Sequence, residues 1–521
     1  MALSRDIYRE LEDVVGPENM SEDLAVIDGY AYQRFGEVMV PREEGRFTPR
    51  PDAVVLPGST KEVQAIIKFC NRRGLKSKAS STGYGPFNTL GGNGGILLDL
   101  RRMNRILEID EKNMYVVVEP YVTFAQVQAE AMKRGLNCHV IGAGSNTSYL
   151  ASHTSVGGNN TQAISQGASS RNLLGVEWVT PSGEIVTLGS QGSGAGWFSG
   201  DGPGPSLRGI IRGAGGALGG LGVFTKCAGH LHPWPGPTKL EIKRRSPEYE
   251  AEIPPNFEYH VLEWPTWEQC ADAEYKIAEA GIAFALHKTA GPGSHGSIVT
   301  SSNNEYYEKR QAGKFLMPRV SLALVMAAST PEEHAFQVKV LDKILEESGG
   351  KISPIGEEPT FKKRDFINMV RSSLIPRLAF RLTGSFTVDG MLGMDTIEHC
   401  AMGLKMDERI KEKYSAKGAI LDDGTYNTWG VVWEGGHFAH YECGHQFDPG
   451  DEKSRQYTGE MIEEGMQTVL SVPFAIAGMA FGDLSKVVGP LCYNFPDWLR
   501  KIKKTFDPNN VSDATTYIPP E

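Results

Sequence analysis

Residues 51–100 read "PDAVVLPGSTKEVQAIIKFCNRRGLKSKASSTGYGPFNTLGGNGGILLDL", and this stretch decides the fold of the chain. "AVVLPG" at 53–58 predicts a short strand. "STKEVQAIIKFCNRRG" predicts a helix with Ser59 or Thr60 as its N-cap and Gly74 at its end. Further strands are predicted at 75–79 and in "GILLDL" at 95–100. The stretch is therefore a β-α-β-loop-β unit whose loop is rich in glycine.

The loop at 80–95 has the composition of a phosphate-binding loop. Its glycines allow backbone N–H groups to converge on an anion, and hydroxyl and amide side chains add further donors. An ordinary connecting loop fits this segment alone equally well. Two more segments poor in large side chains follow at 142–160 and 213–222, each next to a predicted strand. Three such segments within 140 residues predict an extended ligand that touches all of them.

Two common nucleotide motifs do not explain this ligand. The GxxxxGK[ST] pattern of P-loop proteins is absent. "GPGSHG" at 291–296 matches GxGxxG, but "SIVTSSNNE" after it is not an amphipathic helix, so a surface turn is predicted there. The sequence therefore does not support a Rossmann NAD site.

Composition narrows the class of protein. The chain has 521 residues, 40% of them apolar, and a net charge of −10, which argue for two or three globular domains and against a nucleic-acid or anionic-membrane partner. No apolar run approaches the roughly 20 residues of a membrane span. The seven cysteines are scattered and the N-terminus has no signal-peptide pattern, so a cytoplasmic protein without disulfides or a cysteine-bound iron–sulfur cluster is expected.

Six motifs, read in order, resemble one family. They are "PDAVVLPGSTKEVQAIIKFCNRRGL" (51–75), "SSTGYGPFN…GGILLDLRRMNRILEID" (80–110), "YVVVEPYVTFAQVQ" (115–128), "TSVGGNNTQ" (154–162), "GGLGVFTK" (219–226) and "KKTFDPNNVSD" (503–513). The set resembles FAD enzymes of the vanillyl-alcohol oxidase/p-cresol methylhydroxylase type, which include glycolate and D-lactate dehydrogenases. The resemblance covers nearly the whole chain and is tightest from 50 to 230.

The resemblance implies an α+β protein with FAD as cofactor, held covalently or noncovalently. It implies a two-subdomain FAD-binding domain of the p-cresol methylhydroxylase type, an α+β substrate (cap) domain and a C-terminal segment that returns to the FAD domain. A change in composition near 235–240 predicts the boundaries 1–238, 239–460 and 461–521.

The same resemblance assigns cofactor contacts by position. The pyrophosphate would lie on the first loop, the adenosine side near Pro120, the flavin ring on the "TSVGGNNTQ" segment and its polar edge on the backbone of 222–223. The residues implied are Ser80, Ser81, Thr82, Gly83, Tyr84, Gly85, Pro86, Asn88, Pro120, Ser155, Gly157, Gly158, Asn159, Gly222 and Val223.

The candidate catalytic residues lie in "WEGGHFAHYECGHQFDPGD" at 433–451. His437, His440, Glu442 and His445 fall within nine residues, and histidine is both the usual general base near neutral pH and a common metal ligand. Structural histidines are the alternative. If the stretch is a strand, His437 and His445 share a face opposite His440 and Glu442, so a metal cluster on one face is not indicated.

Comparison with the family leaves the substrate open. The GHxGDGNxH pattern of hydroxy-acid dehydrogenases is incomplete here, although "QFDPGD" resembles its end. Phenol oxidases bind phenolate with a Tyr-Arg pair, and the matching position holds Phe474-Ala475, which cannot stabilise a phenolate. Phe474 is instead predicted to line an apolar substrate wall, and Tyr84 is a candidate active-site hydroxyl.

Arginines in "FINMVRSSLIPRLAFRLTGSF" at 366–386 are candidate ligands of a substrate carboxylate. Arg371 and Arg381 are the residues predicted for this role, and a solvated basic helix face is the alternative.

We therefore predict an FAD-dependent oxidoreductase that oxidises a small organic substrate by hydride transfer to flavin N5. The substrate is a 2-hydroxy acid or an aromatic or apolar alcohol. A homo-oligomer and an electron-acceptor protein are expected partners. The main alternative is a flavin-binding electron-transfer subunit of a dehydrogenase complex, and a nucleotide-binding protein without flavin is a further one.

Overall fold

The computed structural model describes residues 3–31, 49–83, 89–139, 144–189, 206–212, 216–245, 248–288, 300–313, 318–371, 381–383, 385–423, 429–472, 481–515 and 517–519. Helices and strands alternate along these segments. The strands are β1 Met20–Ser21, β2 Ala53–Val55, β3 Ser77–Ser80, β4 Ile96–Asp99, β5 Ile106–Asp110, β6 Tyr115–Val118, β7 Leu136–Asn137, β8 Leu173–Val179, β9 Ile185–Leu188, β10 Val223–His230, β11 His232–Pro233, β12 Ile242–Lys243, β13 Glu250–Ala251, β14 Phe257–Glu263, β15 Ala285–Lys288, β16 Ser321–Ala327, β17 Lys351–Ile352, β18 Ser385–Asp395, β19 Trp429–Trp433 and β20 Phe438–Phe447.

The helices lie between these strands and after them. They are α1 Arg5–Val15, α2 Leu24–Ala31, α3 Thr60–Arg73, α4 Phe124–Met132, α5 Tyr149–Thr154, α6 Ala163–Gln166, α7 Arg208–Ile211, α8 Trp267–Ala280, α9 Asn303–Gln311, α10 Pro331–Ser348, α11 Pro359–Arg371, α12 Ile397–Ala416, α13 Glu452–Ser471, α14 Leu484–Val488 and α15 Phe495–Phe506. Short 3-10 turns include Ser169–Asn172 and Glu434–Gly436. No helix in the described ranges is long and apolar enough to cross a membrane.

The unit predicted at 51–100 is present. The N–H of Glu62 donates to the Ser59 side chain at the start of α3, and Gly74 ends the helix in a left-handed conformation with φ +64°. Strands β2, β4 and β3 are parallel, and β1 pairs antiparallel with β2 to give the sheet order β1-β2-β4-β3. The loop after β3 therefore leaves the carboxyl end of a parallel strand, where ligands of open sheets bind.

A second, antiparallel sheet follows along the chain. Its order is β5-β6-β10-β8-β9, and the hairpin β5–β6 turns at "DEKN", residues 110–113. Helices α4 and α5 cover one face, where Phe124, Tyr149 and Trp178 are completely buried.

A seven-stranded antiparallel sheet forms the second half of the chain. Its order is β17-β14-β16-β15-β19-β20-β18. The residues at 439, 441, 443 and 447 of β20 share one hydrophobic core with helices α8, α10, α12 and α13, so those helices cover one face of the sheet. Side chains of the alternate residues lie on the opposite face.

The C-terminal segment packs on the first half of the chain. Ser512 forms a parallel bridge with Ser77, and the buried Lys503 ammonium donates to the carbonyl of Gly220 at 2.8 Å. The predicted boundary at residue 460 falls inside α13, which contacts β18 of the seven-stranded sheet. The three-part division of the chain stays a prediction, as does the cytoplasmic location.

Candidate active site

Strand β20 carries His440, Glu442 and His445, and its pleat separates them. Cross-strand partners share a face in an antiparallel sheet. Met394 and Val431 stand opposite His440, whereas Thr387 stands opposite His445. The alternation predicted from the sequence therefore holds for these three residues, and they cannot form one cluster.

The His440 face is turned toward the first half of the chain. Val431, Trp433 and Met394 on this face form a hydrophobic cluster with Ala163 and Ala168, which belong to α6 and the segment after it. The N–H of Leu286 donates to the carbonyl of Thr161 at 2.8 Å, and the Ser165 hydroxyl donates to the carbonyl of Phe284 at 2.8 Å. The face thus lies against the segment that directly follows the predicted flavin contacts.

His440 is almost completely buried on this face. Its Nε2 lies 3.0 Å from Glu442 Oε1. The ring of Trp429 meets it edge-on at 5.7 Å between centroids, and the ring of Trp433 is nearly parallel to it at 6.5 Å. A carboxylate oxygen can only accept a hydrogen bond, so Nε2 carries the hydrogen in this contact. In a neutral imidazole the other nitrogen, Nδ1, then carries a lone pair. This Nδ1 is buried and has no hydrogen-bond partner in the described ranges.

The predicted flavin segment, 155–159, leaves several polar groups open. No backbone acceptor within the described ranges takes the N–H groups of Gly157, Gly158 or Asn159. The side-chain oxygen of Asn159 is buried without a partner in the same ranges, as is that of Asn146. The segment itself is held firmly, since the Ser169 hydroxyl donates to the carbonyl of Gly158 at 2.9 Å. It therefore offers adjacent donors and an acceptor to a ligand.

The third glycine segment packs directly on this one. The N–H of Ala217 donates to the carbonyl of Thr154, and the N–H of Leu218 donates to that of Ser155, at 2.9 and 2.7 Å. Gly222 has φ +91°, and a Cβ there would lie 2.4 Å from the carbonyl oxygen of Val179. The position before Val223 therefore excludes any side chain.

The structure describes some of the remaining predicted cofactor residues and not others. Ser80 ends β3, with Ser81, Thr82 and Gly83 following, and Gly83 has φ +70°. The carbonyl of Pro120 accepts from the Ser148 hydroxyl at 2.6 Å, which joins it to the 144–159 segment. Tyr84, Gly85, Pro86 and Asn88 lie outside the described residues, so their predicted roles stay predictions.

His445 occupies a different environment on the helix-covered face. Its Nε2 lies 2.9 Å from Asp407 Oδ1 of α12 and 3.7 Å from Asp389 Oδ2 of β18. Burial by itself lowers the pKa of His445, but the two carboxyls outweigh it and raise that pKa to about 9. A base must be neutral to accept a proton, so the expectation of a catalytic His445 does not fit this position.

Three side chains of this cluster are close enough together to be ligands of one metal ion. Ligand atoms of Asp389, Asp407 and Cys443 all lie within 4.8 Å of one another. Burial, together with the nearby Asp407, raises the pKa of Asp389 to about 7, and burial also raises the pKa of the Cys443 thiol well above its ordinary value. With His445 protonated, these groups balance their charges without an ion.

His437 does not belong to the strand. It follows the 3-10 turn Glu434–Gly436, and its side chain is exposed beside Phe438. The strand predicted over this stretch begins only at Phe438, because Gly435 and Gly436 adopt left-handed backbone conformations. His437 is therefore separated from the buried His440.

Arg371 is the last residue of α11 and is half-buried. The carbonyl of Val370 before it accepts from the amides of Gln128 and Gln162, which joins this helix end to the predicted flavin segment. Burial lowers the pKa of Arg371, and no ion pair within the described ranges compensates its charge. Its side chain borders a cavity of about 310 Å³ that Lys133, Lys239, Ala129, Met132, Thr238 and Leu240 also line.

Arg381 does not fit the predicted carboxylate clamp. Its guanidinium donates from Nε to Asn303 Oδ1, from Nη1 to the carbonyl of Thr300 and from Nη2 to the Thr300 hydroxyl, at 2.7–2.9 Å. The guanidinium nitrogens thus bond Thr300 and the first residue of α9. Phe474 lies outside the described residues, so the apolar wall predicted there stays a prediction.

Sequence reasoning missed the residues around His440. Trp429, Val431 and Trp433 stand at every second position of β19. This period-two spacing is a sequence signal that places both tryptophan rings on one face of the sheet. Gln162 lacks such a signal, because its contacts are with Asn137 and with the carbonyl of Val370, which is distant in sequence.

The sequence of the chain is similar to an FAD binding domain family and to several curated oxidoreductases. Residues 51–189 match the FAD binding domain family. An FAD-linked oxidoreductase of Mycobacterium tuberculosis (strain CDC 1551) is 26% identical over 36% of this chain and 39% of its own length. The glycolate oxidase subunit GlcD of Bacillus subtilis is 25% identical over 45% of this chain and 46% of its own length. The chain thus spans less than half the length of these curated relatives.

Similarity in structure extends over the whole chain. The crystal structure of p-cresol methylhydroxylase with substrate bound superposes with a TM-score of 0.72, covering 99% of this chain and 98% of that one at 16% identity. This match confirms the predicted α+β fold, with an FAD-binding domain and a cap. The prediction of FAD as cofactor is confirmed by the matched FAD binding domain.

Proposed function

We propose that the chain is an FAD-linked oxidoreductase that oxidises a small organic substrate at a carbon bearing a hydroxyl group or an activated C–H bond. The match of residues 51–189 to the FAD binding domain family and the similarity in fold to p-cresol methylhydroxylase support this proposal. The observation that carries this proposal is the buried His440, held by Glu442 at one nitrogen and open at the other.

The residues predicted to hold FAD have the chemistry that the cofactor needs. The polar edge of the flavin ring has one N–H donor between two carbonyl acceptors. Asn159 offers a buried amide oxygen, and the backbone at 157–159 offers N–H groups. Ser80, Ser81 and Thr82 offer hydroxyls at the carboxyl end of β3, where they would hold the pyrophosphate.

FAD, when bound, supplies the hydride acceptor, and the chain must remove the proton. We assign proton removal to His440 Nδ1, the lone pair that remains when Nε2–H donates to Glu442. Glu442 fixes the tautomer and stabilises the imidazolium that forms, as the third member of a triad does. Trp429 and Trp433 flank the ring and keep water from it. Tyr84 stays a second candidate hydroxyl.

Two features support the substrate class. The indole rings beside His440 favour an apolar or aromatic substituent. The guanidinium of Arg371, which has no ion pair within the described ranges, favours a carboxylate, which Arg binds with two parallel hydrogen bonds. A 2-hydroxy acid with an apolar or aromatic side chain satisfies both.

Four matched compounds test this proposal: glycolate, D-lactate, D-mandelate and benzyl alcohol, each mixed anaerobically with the holoprotein while flavin absorbance is followed. Mandelate should bleach the flavin fastest, and benzyl alcohol should lose about tenfold or more because it lacks the carboxylate. Arg371→Gln should remove the preference for mandelate over benzyl alcohol. Lys339→Gln, which removes an exposed charge on α10 outside this cavity, serves as the control.

Two results would contradict the proposal. If benzyl alcohol outpaces mandelate in the unchanged protein, Arg371 does not bind substrate and the apolar alcohol is the substrate class. If none of the compounds bleaches the flavin but an electron-acceptor protein co-purifies with the chain, the electron-transfer subunit replaces the oxidoreductase. Neither the acceptor protein nor a homo-oligomer has support beyond expectation.

A further inference from the structure

The turn between α14 and α15 carries an exposed apolar surface that the oxidoreductase function does not use. Tyr493 is 96% exposed, Trp498 60% and Val487 51%, and Leu491 and Phe495 are also exposed. We call these five residues the 487–498 surface. Five large apolar side chains exposed within twelve residues are more than scattered surface hydrophobics.

The backbone holds this surface in a costly conformation. Tyr493 has φ +48° and Asn494 has φ +67°, so two consecutive residues other than glycine are left-handed. Bulky side chains rarely adopt this region, and such strain concentrates at functional positions. The fold gains little from the ring of Tyr493, since it points almost entirely into solvent.

The opposite face of α15 anchors it firmly. The Lys503 ammonium donates to the carbonyls of Gly220 and Ser512 at 2.8 and 2.7 Å, and the ring of Phe506 lies 5.1 Å from that of Trp178. The helix therefore does not need Trp498 for packing. The buried face of α15 is fixed by these contacts, and Trp498 lies on its exposed face.

Positive charge borders the apolar residues. Lys501 Nζ lies 4.2 Å from the centre of the Trp498 ring, and Lys504 is exposed one turn further on. Neither lysine has an acidic partner in the described ranges, whereas Arg500 pairs with Asp497. Around them, Lys486 and Arg500 pair with Asp483 and Asp497, so Lys501 and Lys504 leave this part of the surface with an excess of positive charge, although the chain as a whole has a net charge of −10.

We propose that the 487–498 surface, with Lys501 and Lys504, docks the protein on an anionic phospholipid bilayer. Tryptophan and tyrosine favour the interface between lipid and water, and lysines beside them attract anionic head groups. A second copy of this chain fits less well, because a symmetric contact would bring like-charged lysines together. The acidic remainder of the chain would be repelled, so the protein would lie on the bilayer in one orientation. The net charge led us to exclude such a partner, but it averages over a surface that is locally basic.

Vesicle flotation of the FAD-loaded protein tests this proposal. Phosphatidylcholine vesicles with added phosphatidylserine should carry the protein, and vesicles of phosphatidylcholine alone should carry about 25-fold less at low salt, because two lysines each contribute about fivefold. High salt should remove this difference. Lys501→Gln with Lys504→Gln should lower binding to the anionic vesicles by the same factor.

Trp498→Ala with Tyr493→Ala should lower binding to both kinds of vesicle by about tenfold or more. Phe336→Ala is the matched control, because Phe336 is 60% exposed on α10 and should leave binding unchanged. Flavin content and the melting temperature of each variant show that it folds.

Three outcomes overturn the proposal. In the first, neither kind of vesicle carries the protein. In the second, the Trp498 and Tyr493 variant floats like the unchanged protein. In the third outcome, the same variant changes from dimer to monomer in light scattering without lipid, which assigns the surface to a second copy. None of these outcomes bears on flavin reduction by substrate, so this proposal and the proposed function fail separately.

Discussion

The two faces of the seven-stranded sheet use the same strand for different purposes. On one face His440 pairs with a half-exposed glutamate beside two tryptophans and keeps one ring nitrogen open. On the other face His445, five residues later, lies between Asp407 and Asp389 under two helices. The first arrangement leaves the His440 Nδ1 without a hydrogen-bond partner among the described residues. The second holds a charged histidine that fastens helix α12 to the sheet.

This difference shows that the partners of a histidine decide its role. Both side chains are almost completely buried, so burial alone does not distinguish them. A single carboxylate on one nitrogen orients the ring, whereas two carboxyls in a dry core keep the proton in place. Four substitutions test this contrast.

The largest effect is expected for His440→Gln. Loss of the base should lower the rate of flavin reduction by substrate about a thousandfold, because positioned bases contribute factors of that order. Flavin content should not change. His437→Gln, which alters an exposed histidine three residues earlier, should stay within about twofold of the unchanged protein in stopped-flow absorbance.

His445→Asn should act on stability instead. Removing the imidazolium leaves two buried carboxyls without their partner, which should cost about 3–5 kcal/mol of unfolding free energy. Denaturant titration measures this loss, and flavin reduction per folded protein should change little. His399→Gln removes an exposed pair with Asp395 and should cost less than about 1 kcal/mol. Equal losses in both variants would show that the cluster has no special role.

Glu442→Gln should have an intermediate effect on catalysis. The amide can still contact His440, but it cannot stabilise the imidazolium, so we expect a loss of about ten- to a hundredfold in the rate of flavin reduction. Glu398→Gln on the surface of α12 is the control. A rate unchanged by Glu442→Gln would mean that His440 acts without an orienting carboxylate.

Asp389→Asn should change the pH dependence of stability. The pKa of Asp389 rises from an ordinary 3.8 to about 7 on folding, so the folded chain keeps a proton that the unfolded chain releases between these values. Unfolding free energy should therefore fall as pH rises through this window, by at most about 1.4 kcal/mol per pH unit. The raised pKa of His445, about 9, extends the fall from about pH 6.5 to 9.

Asparagine cannot release this proton, so the variant should show a flatter profile between about pH 4 and 7. Asp342→Asn, at an exposed position on α10, should keep the original slope. An Asp389→Asn profile as steep as that of the unchanged protein would show that another group titrates in this window.

The sequence predicts those features of the fold that depend on neighbouring residues, such as helix ends and the alternation of side chains along a strand. Ser59 and Gly74 mark the ends of α3, and the alternation along 438–447 separates His440 from His445. The sequence does not tell which face of the sheet meets the FAD-binding domain. Helices α8 and α12 cover the other face, and they end more than 150 and 22 residues before β20 begins, so no local pattern reveals this packing.

The partners of His445 show the same limit. Asp389 and Asp407 lie 56 and 38 residues before it, in a strand and a helix whose packing no local pattern reveals. Arg371 and Arg381 belong to one basic stretch. Only the structure shows that Arg381 is bonded to Thr300 and Asn303, whereas Arg371 has no ion pair among the residues that the structure describes.

The most direct test is single-turnover flavin reduction, measured anaerobically on His440→Gln and His445→Asn with the best of the four matched compounds. We expect a loss of about a thousandfold in the first variant and a rate within a few-fold of the unchanged protein in the second. A normal rate in His440→Gln with a large loss in folded, flavin-loaded His445→Asn would contradict the assignment of catalysis to the His440 face.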